Sequence, residues 1–204
     1  MSTQDAIVYV VDDDGPFRES VAWLLESAGL TCRIFPSAAD FLAAIDGATV
    51  GCLVTDLRMP GMSGLELQNV LNRDDFTLPV IVMTAHGDVD TAVQAMKNGA
   101  VEFIQKPFKE HAFLDMVNAA IAQSVRDAEL RHSVVDAKMR LHSLSARERE
   151  VLDHIVDGNT NKATAAALDV SEKTVEAHRA SIMQKLDVNS LASLMKLVLA
   201  AQSD

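Results

Sequence analysis

Residues 55–67 read T-D-L-R-M-P-G-M-S-G-L-E-L. An apolar run from Val50 to Thr55 (VGCLVT) leads into Asp56, and Pro60, Gly61 and Gly64 punctuate the segment after it. A short apolar run closed by turn residues reads as a strand buried on both faces. From Gly64 to Leu71 the chain reads as helix, carrying Leu65, Leu67 and Leu71. The stretch is therefore a strand, a carboxylate at its carboxyl end, a tight loop and a helix, which is the repeating unit of an α/β sheet.

The same unit recurs on both sides. Ile7 to Val11, Leu30 to Phe35, Pro79 to Thr84 and Ala100 to Ile104 are further strand candidates. Phe17 to Ala28, Ala38 to Ile45 and Asp88 to Asn98 read as helices between them, the last closed by Gly99. Five strands alternating with helices predict a doubly wound, five-stranded parallel sheet of the flavodoxin type. From about Pro107 to Met139 the pattern is continuously helical. Ile121, Val125, Ala128, His132, Val135 and Met139 follow a 4-3-4-3-4 spacing there, which suits either a self-associating seam or an amphipathic surface helix. Residues 144–201 read as four short helices: Ala146 to Val156, Lys162 to Leu168, Glu172 to Lys185 and Ser190 to Ala200. The expected organisation is a domain over 1–122, a helical linker and candidate coiled coil over 123–142, and a small all-α domain over 143–204.

Composition bounds the function. The 204 residues carry a formal charge of −11, which argues against non-specific attraction to nucleic acid by the whole molecule. That charge is unevenly placed. Residues 1–124 hold 7 basic and 17 acidic side chains, and residues 125–204 hold 11 and 12. No apolar run approaches the ~18 residues of a membrane span, and Met1 to Asp5 has no secretory pattern, so a cytoplasmic protein with no membrane partner is expected. Cys32 and Cys52 are too few for a disulfide scaffold and read as inert thiols, and no Cys/His spacing suggests zinc.

In open parallel sheets, ligands bind beyond the carboxyl ends of the strands. Asp12, Asp13 and Asp14 follow the first strand, Asp56 the third, Thr84-Ala85 end the fourth, and Lys106-Pro107 follow the fifth. Singly these are common turn residues, and Asp14 reads as the cap of the first helix. Jointly they place carboxylates, a hydroxyl and an ammonium at one edge. Crowded carboxylates need a cation, and an all-oxygen set suits Mg²⁺, with Mn²⁺ as the alternative. Such a site can put a phosphoryl group on a carboxylate.

These residues resemble the response-regulator receiver family over about residues 5–122, through Asp12-Asp13, Asp56 within TDLRMPGMSG, Thr84-Ala85 and Lys106 within KPF. The resemblance implies that Asp12, Asp13, Asp56 and the main-chain carbonyl of Arg58 hold the metal. It implies that Asp56 accepts a phosphoryl group from a sensor histidine kinase, that Thr84 and Lys106 contact it, and that Lys106-Pro107 is cis. Phe103 falls at the family's rotating aromatic position. Phosphorylation would draw Thr84 in, let Phe103 turn inward, and make the face carrying Val93 and Lys97 a homodimer surface.

In the back domain, Asp169-Val170-Ser171 joins two helices as a helix-turn-helix pattern, with Ser171 as cap. Val175, Ile182 and Leu186 face inward; Lys173, Thr174, Glu176, His178 and Arg179 face outward on a helix sized for a major groove. V-S-E-K-T-V-E-A-H-R with R-E-R-E-V-L resembles the LuxR-type DNA-binding domain over about residues 141–202, which implies that those five residues face double-stranded DNA. Ala163 and Thr164 depart from the family's usual acidic and branched apolar residues, and Asp169 replaces the usual glycine. Leu191, Leu194, Met195 and Val198 form an apolar stripe that reads as core or as a dimer contact. The domain order resembles the FixJ branch of response regulators. It implies a phosphorylation-activated transcription factor, with no enzymatic activity beyond phosphoryl transfer to and hydrolysis from its own Asp56. The alternative reading is an adaptor whose helical domain binds protein rather than DNA.

Overall fold

Along the first strand, alternate side chains serve two different layers. Val8 and Val10 join Cys52, Val54, Ile81 and Met83 against Val21, Leu25, Phe113 and Val117. Tyr9 and Val11 point the other way, with Leu53 and Val82, against Phe41, Leu67, Leu71 and Ala95. This period of two, with both faces apolar, is what a parallel sheet covered on both sides demands. The computed structural model describes residues 6–45, 50–73, 76–85 and 89–202. Its strands are β1 (Ile7–Val11), β2 (Thr31–Phe35), β3 (Gly51–Asp56), β4 (Val80–Thr84) and β5 (Glu102–Gln105). All pair in parallel, in the order β2-β1-β3-β4-β5. The flavodoxin-type sheet expected from the sequence is the observed one.

The intervening helices are α1 (Gly15–Ser27), α2 (Ala38–Ala44), α3 (Gly64–Arg73) and α4 (Val89–Lys97). Four strands, β2 to β5, start one or two residues later than the pattern suggested, and at β2 and β5 the preceding helix claims the first residues. The Leu30 amide donates to the Leu25 carbonyl at 3.0 Å, and the Ala100 amide donates to the Ala95 carbonyl at 3.0 Å. Both are helix-closing bonds. The proposed start of the fourth helix at Asp88 lies outside the described residues, as does the Met1 to Asp5 segment. Asp14 does cap α1, its side chain accepting from the Phe17 amide at 3.2 Å. At the amino-terminal ends of the central strands, a Cβ on Gly51 would stand 1.9 Å from the Ile7 carbonyl oxygen. Only glycine fits there, and its amide donates to the buried hydroxyl of Ser124 at 3.1 Å.

Ser124 belongs to α5 (Glu110–His142), a single 33-residue helix. The chain divides into two compact units, residues 1–129 and 130–204. The heptad seam is divided the same way. Ile121 is buried in the first unit's core, and Val125 and Ala128 pack against it. His132, Val135 and Met139 are exposed. The seam is thus core along its first half and surface along its second.

The second unit adds α6 (Ala146–Val156), α7 (Asn161–Leu168), α8 (Glu172–Lys185) and α9 (Leu191–Gln202) to the end of α5. Its core is built from Leu144, Val151, Leu152, Ile155, Val175, Ile182, Leu186, Leu194 and Val198. The stripe on α9 is therefore resolved: Leu194 and Val198 are core, and Leu191 is exposed. Cys52 is buried and its thiol is pushed up to about 12 by that burial, while Cys32 is half-buried; both are free thiols. Among the described residues no helix is long and apolar enough to cross a membrane.

Candidate functional site

The strand register decides which residues meet. Val11 stands beside Thr55, Asp56 beside Met83, and Thr84 beside Gln105. The residue after β1, the last residues of β3 and β4, and the residue after β5 are thereby brought to one edge. Lys106 Nζ donates to Asp12 Oδ2 at 2.6 Å and to Asp56 Oδ1 at 2.6 Å, forming one ammonium between two carboxylates. Asp12 is 1% exposed and Asp56 8%. The second oxygen of each is also held. Asp12 Oδ1 accepts from the Asp14 amide at 3.0 Å, and Asp56 Oδ2 accepts from the Arg58 amide at 2.7 Å. Thr84 is buried at the end of β4, and its carbonyl accepts from the Lys106 amide at 2.7 Å. Lys106-Pro107 is cis.

Electrostatics at this edge is a contest between burial and pairing. Burial pushes the Asp12 carboxyl above its ordinary value, against the opposing pull of Lys106 and the Asp14 amide. Burial alone would lower Lys106, but its bonds to Asp12 and Asp56 and their charges together raise it above the usual lysine range. Two carboxylates against one ammonium leave one buried negative charge, the condition under which a further cation is favoured. The oxygen-only donors fit a hard divalent ion. Asp13 is exposed and is not gathered with them. Among the described residues no three Asp, Glu, His or Cys side chains stand together as a ready metal set.

Several contributors were not read from the sequence. The Phe17 ring lies 4.0 Å from Lys106 Nζ, a cation–π contact that faces the ammonium toward the carboxylates. Arg18 Nη1 donates to the Asp12 carbonyl, which braces the β1–α1 loop. Gly64 lets α3 approach: a Cβ there would stand 2.3 Å from the Asp56 carbonyl oxygen. Only Gly64 left a signal, as the last glycine of the loop after Asp56; a phenylalanine and an arginine on a helix look like core and surface. Phe103 is half-buried against the second core layer. Val93 and Lys97 are exposed on α4, and so is Met96, which widens that face beyond the two expected residues.

In the second unit, α7 and α8 form the expected helix pair. Asp169 adopts the left-handed conformation at φ 54° between them. Ser171 caps α8, accepting from the Thr174 amide at 3.1 Å, and its hydroxyl lies 2.8 Å from Thr174 Oγ1. Thr174 is thus partly engaged by the cap. Lys173 and Glu176 are exposed, His178 and Arg179 half-buried, and Val175 and Ile182 are core. The five expected DNA-facing residues therefore share one element but differ in exposure.

Two side chains from outside the pair hold α8 at its carboxyl end. Glu148 on α6 accepts from Ser181 Oγ at 2.7 Å and from Lys185 Nζ at 2.8 Å, and also from the Ser145 amide at 2.8 Å. These donors, Lys185 foremost, hold its carboxyl well below the usual carboxylate range. Arg140 on α5 donates to the Leu186 carbonyl at 3.2 Å, satisfying a helix-end acceptor.

Comparison with known proteins agrees with both halves. A profile for the response regulator receiver domain matches residues 8–118. A profile for bacterial regulatory proteins of the luxR family matches residues 142–198. The chain is 41% identical to the transcriptional regulatory protein FixJ of Bradyrhizobium diazoefficiens, over 95% of each chain. It is 44% identical to the transcriptional regulatory protein TdiR of Thauera aromatica, over 96% of this chain and 86% of that one. Among solved structures it is similar to the low-resolution structure of response regulator StyR, with TM-score 0.89 and 42% identity, covering 96% of this chain and 98% of that chain.

Proposed function

This chain belongs to the response regulators that join a receiver domain to a LuxR-type DNA-binding domain, and from that premise we propose how its residues carry the switch. It is a transcriptional response regulator. Residues 1–122 receive the phosphoryl group, 123–142 link the two domains, and 143–204 bind DNA. The observation that carries the proposal is the Lys106 ammonium bridging Asp12 and Asp56 at 2.6 Å each.

Asp56 is the phosphoacceptor. One of its carboxylate oxygens forms the new bond to phosphorus as the P–N bond of a kinase phosphohistidine breaks, and the leaving imidazole nitrogen keeps the electron pair and takes a proton. Asp12, Asp56 and the main-chain carbonyl of Arg58 would hold Mg²⁺, or Mn²⁺ in its place, with the exposed Asp13 turning in to join them, and the ion would supply charge neutralisation when bound. Lys106 passes its donors from Asp56 to a phosphoryl oxygen, and Thr84 donates its hydroxyl to another. Hydrolysis of the acyl phosphate resets the protein, so the only catalysis is on its own Asp56. Movement of Thr84 lets Phe103 turn inward, and the α4 face with Val93 and Lys97 becomes a homodimer contact. Lys173, Thr174, Glu176, His178 and Arg179 then meet double-stranded DNA on two half-sites. A sensor histidine kinase is the phosphodonor, and the cytoplasm is where the three meet.

The test is incubation with acetyl phosphate and Mg²⁺, read by intact mass and by light scattering. The native chain is expected to gain one phosphoryl group and to double in mass. Asp56→Asn is expected to do neither. Equal labelling of the Asn variant overturns the assignment.

A further inference from the structure

Beyond residue 129, two stripes run along α5. Val134, Ala137 and Leu141 face the helical unit: Ala137 is buried, Val134 half-buried, and Leu141 packs on its core. The other stripe is the continuation of the heptad seam. His132, Val135 and Met139 are all exposed, Val135 by 56% and Met139 by 70%. An apolar pair at d and a positions stands largely in solvent, on the side of the helix away from its own core stripe; Val135 also borders a shallow cavity with Ala200 of α9, which leaves most of its side chain uncovered.

The flanking charges say what the partner is. With His132 and Met139 at a and Val135 at d, the g positions are Arg131 and Lys138, and the e positions are Glu129 and Asp136. Parallel pairing of two identical helices sets g of one chain against e of the other five residues on, which puts Arg131 opposite Asp136 of the second copy, twice by symmetry. Antiparallel pairing sets g against g and e against e, which opposes Arg131 to lysine and Asp136 to glutamate. The charges therefore select a parallel second copy. Asp136 already accepts from Arg140 of its own helix at 2.9 Å through Oδ2, and a carboxylate accepts from more than one guanidinium.

We propose that Arg131 to Met139 of α5 is a short parallel zipper that pairs with the same segment of a second copy. Nine helical residues span only about 12 Å, far too little to bury the ~1,200 Å² of a stable interface. The seam therefore cannot join two chains alone. It closes when another contact has already raised the effective concentration of one copy beside the other. This inference rests on the phosphorylation-induced dimer proposed above, and it adds a second contact between the copies.

The experiment uses the full-length chain with Cys32→Ser, leaving the buried Cys52. Val135→Cys in that background is oxidised with copper-phenanthroline, with and without acetyl phosphate and Mg²⁺, while light scattering reports mass. Ser133→Cys, one turn position off the seam, is the control. The expected result is at least tenfold more disulfide-linked dimer at 135 than at 133, only in the phosphorylated sample. Arg131→Glu should lower the yield at 135 severalfold, and adding Asp136→Arg should restore it. A doubled mass with equal or no cross-linking at the two positions overturns the zipper and leaves the receiver dimer standing. An unchanged mass overturns the dimer and the zipper with it.

Discussion

Thr164 is 1% exposed, and its Oγ1 has no hydrogen-bond partner. A buried hydroxyl without a partner costs about 1–3 kcal/mol, so Thr164→Val, which keeps the shape and removes the oxygen, is expected to stabilise the helical unit by about 1 kcal/mol. For a unit of this size that is a rise in melting temperature of roughly 4–8 °C. Thr164→Ser, which keeps the hydroxyl and loses the methyl, should melt lower than the native chain, and a neutral or lower melting point for the valine variant would contradict the reading. The departure was visible in the sequence as a polar residue where the family carries a branched apolar one. That its hydroxyl is left unpaired was not visible, because the acceptors within its reach are set by how α7 packs against α8. The same holds at the receiver edge. The identities of Asp12, Asp56, Thr84 and Lys106 follow from their places at strand ends. The exposure of Asp13 and the Phe17 ring beneath the ammonium depend on how the β1–α1 loop is braced.

Among the elements, α8 is the one proposed to read DNA, and its position is held from outside. Glu148 binds it at Ser181 and Lys185, and Arg140 satisfies its terminal carbonyl. The folded state holds the Glu148 carboxyl below its ordinary value of 4.5. It therefore binds fewer protons than the unfolded chain as pH falls through that value. The stability contributed by Glu148 is complete above about pH 4.5 and is lost as the pH drops toward the folded value. Amide exchange of α8, followed in the full-length chain, should show protection falling below that pH. Glu148→Gln should start lower at neutral pH, change less with acid, and meet the native curve at the acid end. Parallel curves would count against the clamp. Asp12 has the opposite sign, since burial raises its carboxyl, so its contribution falls as pH rises above its ordinary value of 3.8. The readout must for that reason be taken on α8 and not on the receiver.

At the scale of the whole molecule, the charge of −11 is mostly the receiver's, and α8 carries Lys173, Arg179 and Lys185 against Glu172 and Glu176. The ion pair between Lys185 and Glu148 at 2.8 Å takes one of those cations into an internal role. Little positive field is left for a phosphate backbone, so one copy should bind DNA weakly and two joined copies much better. In fluorescence anisotropy against a duplex, the phosphorylated protein should bind more tightly, and its slope of log affinity on log salt should be about twice that of the Asp56→Asn variant, because twice as many phosphates are met. Equal slopes would mean that a single DNA-binding domain engages in both forms. By itself, the sequence determined the five strands and their helices, the polar residues at four strand ends, the helix pair with its cap and the heptad period, since all of these are local patterns along the chain. Only the tertiary structure decided that Lys106 bridges two carboxylates while the neighbouring Asp13 is exposed. It also decided that Lys185 is held by Glu148, and that one heptad seam is core up to Ala128 and surface from His132. Each of these depends on which distant elements meet, and a local pattern fixes the face a residue occupies without fixing what packs against it.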